Sequence, residues 1–73
     1  MRIDQALLNV LHSRNCSIAQ YARQTGMSRS QIYKILKGEH SPTLVTLKRL
    51  SDGLGMSVSE FIAMIESENL SHL

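Results

Sequence analysis

The stretch from Gly26 to Gly38, GMSRSQIYKILKG, concentrates the side chains best suited to chemistry in this chain. With about 3.6 residues per helical turn, Ile32, Ile35 and Leu36 fall on one side of a short helix, leaving Arg29, Ser30, Tyr33, Lys34 and Lys37 on the other. An ordinary solvated face mixes both signs of charge, but this one carries no acid. Arg is a planar donor that fits the O6 and N7 acceptors of guanine, Ser and Tyr hydroxyls bond to bases or phosphates, and Lys neutralises phosphate at any sequence. The charge pattern extends further. Arg14, Arg23, Arg29, Lys34 and Lys37 lie between residues 14 and 38 with no Asp or Glu, whereas Asp52, Glu60, Glu66 and Glu68 follow residue 50 with no Lys or Arg. A net charge of only +2 therefore hides a basic region and an acidic one, which suits a protein that presents one face to a polyanion.

Other chemistry finds little support. Cys16 is the single cysteine, so it forms no internal disulfide, and a reducing compartment is the default. His12 lies four residues before Cys16, but His40 and His72 belong to distant segments and no zinc-ligand spacing occurs. No nucleophile has a base and an orienting group beside it, so neither metal, cofactor nor catalysis is expected. Met27, Met56 and Met64 read as core filler. His40, in the loop after Gly38, is placed either to meet a phosphate or the minor groove or simply to be solvated.

The elements that must hold this face are strongly punctuated. A chain of 73 residues suits one domain, expected to have its core over about residues 3–66 and a short tail over 67–73, and a domain of this size buries about 60% of the surface its unfolded chain exposes. With 42% hydrophobic but only 4% aromatic residues, the core is aliphatic, as in small helical bundles. Ile3, Ala6, Leu7, Val10 and Leu11 have the spacing of a first helix ending near Ser13. Ser17 and Gln20 have capping-box spacing for a second helix over about residues 18–25, which Gly26 ends. The device recurs at Ser28 and Gln31, and at Ser57 and Glu60, each with a flanking apolar staple. A fourth helix opens at Thr43, or at Ser41 with Pro42 in its first turn. It points Leu44, Leu47, Leu50 and Leu54 inward, contains Gly53 and closes at Gly55. The fifth buries Val58, Phe61, Ile62 and Ile65. Tyr21 is expected in the core with its hydroxyl at the edge. The all-α class follows from the absence of period-two alternation.

Only a few residues separate the second and third helices, so the pair must meet at a steep angle, as in a helix-turn-helix. Residues 17–38, SIAQYARQTGMSRSQIYKILKG, resemble the helix-turn-helix of the Cro and phage-repressor (Xre-like) family. Ala22 stands where that family keeps a small residue against the third helix, Gly26 is the turn glycine, Met27 the apolar turn residue, and Ile32 and Ile35 the core positions. The likeness continues through GEHSPTLVTLKRLSDGLGMSVSEFI and covers about residues 3–65. It implies a five-helix, lambda-repressor-like DNA-binding domain of a transcriptional regulator, often dimeric, with Arg29, Ser30 and Lys34 reading bases and Tyr33 nearby. The chain departs from the pattern at Ile18, where a polar phosphate-binding residue is common, and at Leu36, where an acid is frequent.

The expected partner is double-stranded DNA, with helix starts at Ser17 and Ser28 as phosphate sites and Lys37 and His40 as further contacts. One reading helix covers little surface, so a homodimer is expected, with Met64, Ile65 and Leu70 as candidate contact residues, or the first helix instead with Ile65 in the core. A protein-interaction module on the same scaffold, antitoxin-like or adaptor, is the alternative. No apolar run approaches the roughly 20 residues that span a bilayer, and Asp4, Gln5 and Asn9 break a signal-peptide reading, so the cytoplasm is the expected location.

Overall fold

Five helices make up the fold: α1 (Ile3–Ser13), α2 (Ile18–Thr25), α3 (Arg29–Leu36), α4 (Leu44–Asp52) and α5 (Val58–Leu70). The computed structural model describes residues 3–39 and 41–70, and no strand occurs among them. Each of the three capping boxes forms as its spacing predicts. Ser17 Oγ accepts from Gln20 N at 3.1 Å while Gln20 Oε1 accepts from Ser17 N at 3.0 Å. The Ser28–Gln31 pair repeats this at 3.2 and 2.9 Å, and the Ser57–Glu60 pair at 3.1 and 3.0 Å. Two otherwise unpaired helix-start donors are thus satisfied at each box. Thr43 caps the start of α4, its Oγ1 accepting from Thr46 N at 3.3 Å.

The core joins Leu7, Leu11, Tyr21, Ile32, Leu50, Phe61 and Ile65, with Ala6, Ala22 and Ile35 at its edges. α1 packs on α3 and α5, α4 on α5 and α2, and α2 on α3. α3 is therefore held along its inner side by two helices, and burying a side chain such as Ile32 fully contributes about 1.5–3 kcal/mol. The closest joint lies where α2 meets the end of α4. Tyr21 is fully buried, and its hydroxyl donates to Leu50 O at 2.7 Å. In a continuing helix that carbonyl would bind Leu54 N, but Leu54 N turns to Ser51 O instead. The phenol thereby satisfies one of the open carbonyls at the end of α4. Burial, reinforced by Cys16, pushes the Tyr21 phenol above its ordinary value, which keeps it a donor.

Several expectations are corrected. Leu44 does not face inward but is 72% exposed, because α4 begins only at that residue and its first turn lies beyond the core. Leu47 and Leu54 do face inward, packed against the core, whereas Val58 and Ile62 are partly rather than fully buried. Gly53 is the residue that caps α4 rather than an interior one, and Gly55, with φ of 71°, closes the turn. The Tyr21 hydroxyl is buried rather than at an edge. α5 runs to Leu70, with Asn69 Nδ2 donating to Ile65 O at 2.8 Å.

Gly53 has an ordinary helical φ of −62°, so its need is steric. A Cβ there would lie 2.6 Å from Thr25 Cγ2 and 2.9 Å from Tyr21 Cε1. Gly53→Ala should therefore destabilise the domain by about 1–3 kcal/mol, outweighing the gain of about 1 kcal/mol that alanine brings elsewhere in a helix. Tyr21→Phe should cost about 1–3 kcal/mol by stranding the Leu50 carbonyl. Urea unfolding midpoints check both.

The start of α5 is pH-sensitive. The Ser57 backbone N–H, and then its hydroxyl, hold the Glu60 carboxyl below its ordinary value of 4.5. A lowered native value means that this contact stabilises fully above the unfolded value and fades as pH falls through the native one. A carboxyl carbon titration by NMR should place Glu60 below the other glutamates, and Ser57→Ala should raise it.

Candidate nucleic-acid interface

The position of α3 is set at one carbonyl. Ala22 O accepts from Gly26 N, from Met27 N at 3.2 Å and from Thr25 Oγ1 at 2.9 Å. Thr25 Oγ1 in turn accepts from Met27 N at 3.2 Å. Gly26 adopts φ of 74°, the left-handed conformation that glycine takes without steric cost. Thr25 and Ala22 are buried, and Met27 packs against the core. The chain thus leaves α2, reverses over Gly26 and Met27, and starts α3 at Ser28 with no slack.

On α3, Ile32 and Ile35 are buried and Leu36 is partly buried against the core. Arg29, Ser30, Tyr33 and Lys34 on the helix, and Lys37 at its cap, are all exposed. Among the described residues, the side chains of Arg29, Lys34 and Lys37 form no ion pair or hydrogen bond; the ion pair between Lys48 and Asp52, at 2.7 Å, lies on α4. Five side chains with donors therefore share one surface and form no ion pair on it among the described residues, and the carboxylates nearby in the fold, Asp4 and Glu39, sit at its Gly38 end. Tyr33 is 48% exposed.

The Ser17 and Ser28 hydroxyls cap their helices, which occupies one acceptor site on each and leaves the hydroxyl hydrogen free to donate outward. Arg14, the first cation of the acid-free run, is turned to another side: its Nη1 donates to Leu54 O at 3.4 Å, across from the turn between α4 and α5. His40 lies outside the described residues. Ile18 packs against the core, so the start of α2 has an apolar first residue.

Sequence reasoning missed a second edge of this surface. Gln31 and Lys34 line a cleft with Ser41, Thr43 and Thr46 from the start of α4. The signal was the polar SPT before that helix, which read only as a helix start. Arg23 was also passed over, as one cation among five; it is exposed on α2 close to the turn. The boxes differ in a further respect. The residues that close the starts of α2 and α3 are the neutral amides Gln20 and Gln31, whereas α5 uses the carboxylate of Glu60.

A family model described as helix-turn-helix matches residues 7–61. The chain belongs to the Cro/C1-type helix-turn-helix family. This helix-turn-helix domain is also 31% identical, over 65 residues, to the HTH-type transcriptional regulator SutR of Escherichia coli (strain K12). The similarity covers 89% of the chain but 36% of that relative, so the chain spans about a third of its length. No solved structure matches. The family and the regulator relative support a DNA-binding role for the domain, and no helix among the described residues is long and apolar enough to cross a membrane.

The neutral caps suggest a direct test of the helix-turn-helix surface. Gln31→Glu keeps the hydrogen bond to Ser28 N and adds favourable charge at a helix start, contributing about 0.3–1 kcal/mol. It also places a carboxylate beside Lys34. Thermal stability should hold or rise while duplex binding falls, as read by melting and by fluorescence anisotropy.

Proposed function

We propose that this domain is a sequence-specific DNA-binding regulator, acting as a repressor, that lays α3 in the major groove. The observation that carries this reading is the outer side of α3, where exposed Arg29, Ser30, Tyr33, Lys34 and Lys37 lie together without an acid. Arg29, Ser30 and Lys34 contact base edges, with Tyr33 beside them. Lys37, the helix starts at Ser17 and Ser28, and His40 contact phosphates and set the register.

One helix of this length buries little surface, so we place the domain as a homodimer on a two-part operator with half-sites about 34 Å apart. Met64, Ile65 and Leu70 are the α5 residues the sequence offers for its contact surface. Ile65 is fully buried and Met64 packs against the core, which leaves Leu70 alone of the three well exposed. One observation favours a compatible second reading in which the domain also holds a protein. Leu44 and Val45 are 72% and 67% exposed, and they form an apolar hollow with Val58. Exposed apolar surface of this kind marks contact sites.

Selection of bound sites from random duplexes should return a motif with inverted symmetry; recovery of unrelated sequences would overturn the sequence-specific reading. Arg29→Ala should relax preference at one base position by about 1–3 kcal/mol, while Lys37→Ala should weaken all duplexes alike. Binding should fall steeply with salt, unlike a partly apolar protein contact.

A further inference from the structure

Resting on that DNA-binding reading, we infer that Arg23 is a backbone anchor, holding a phosphodiester at the mouth of a hollow that spans the turn between α2 and α3. Arg23 and Arg29 line this hollow from opposite helices, and between them lie Ala19, Ala22, Gly26 and Met27. The floor is thus made mostly of residues with one side-chain carbon or none. A Cβ at Gly26 would meet nothing within 4 Å, so the space above the turn is open.

Charge and chemistry agree with this placement. Arg23 and Arg29 are exposed, and neither side chain forms an ion pair or hydrogen bond among the described residues. Neither α2 nor α3 contains an acid. Two unpaired guanidinium groups beside a small-residue floor attract an oxyanion and admit it without a steric barrier. Arg29 stands at the first position of α3, on the side given above to base edges, so the two arginines divide the work. Arg29 enters the groove, and Arg23, set back on α2, takes the phosphate at the groove wall. The contact fixes how deeply the start of α3 enters the groove, which makes Arg23 a positioning residue rather than a base reader.

The test is a salt titration of duplex binding by fluorescence anisotropy, with a selected site and an unrelated duplex. Arg23→Ala should make the slope of log Kobs against log salt shallower by about 0.9, the amount for one phosphate contact, and should weaken both duplexes by the same factor. Arg23→Lys should restore the slope, because an ammonium neutralises the phosphate equally well. Ala19→Glu adds a carboxylate to the floor at a position where the start of α2 favours it. It should therefore weaken both duplexes while thermal stability holds or rises. An unchanged slope in Arg23→Ala, or a change in preference between the duplexes, overturns the anchor while the DNA-binding reading stands. Failure of the unaltered domain to bind any duplex removes both.

Discussion

Tyr21 and Thr25, one helical turn apart on α2, meet the end of α4 where Gly53 has no side chain, and the placement of α3 depends on this junction. The Tyr21 hydroxyl closes the last turn of α4 through Leu50 O. The Thr25 methyl packs against Gly53, while its hydroxyl bonds both sides of the turn that leads into α3. The same two side chains thus tie the helix pair to the rest of the core and define the reversal between its members. A protein interior is close-packed and yields little, so displacement at Gly53 is passed directly to the start of α3.

Charge is segregated on this frame. Cations on α3 and its cap face outward without acids, and the one cation of the same run that turns elsewhere, Arg14, reaches back to Leu54 O at the junction of α4 and α5. Four of the six acids lie on α5 and at the end of α4; the other two, Asp4 of α1 and Glu39, lie at the C-terminal end of α3 beside Gly38. Exposed charges more than about 8–10 Å apart are largely screened at physiological salt, so keeping acids off the local surface matters more than the small net charge of the chain.

Much of this was legible in the residues because local rules and packing agree. Ser17, Ser28 and Ser57 each had the right partner three positions on, and those helices begin where the spacing placed them. Ile32 and Ile35 fixed which side of α3 is buried, and so which is free. The reading failed where periodicity extends past the core: Leu44 fits the inward stripe of α4, but no neighbouring helix covers its turn. The cleft between Lys34 and Thr43, and the hollow joining Arg23 to Arg29, bring together residues of separate helices, which no spacing along the chain reports.

The amide ends of Gln20 and Gln31 have an evolutionary consequence. Glutamine and glutamate have nearly the same shape, and their codons differ by one nucleotide, so the helix start tolerates either. The two differ in charge, which alters the surface potential and slightly favours glutamate at the helix start. A single-nucleotide change can therefore add negative charge beside the exposed cations of α3 while the hydrogen bond that closes the helix start is kept.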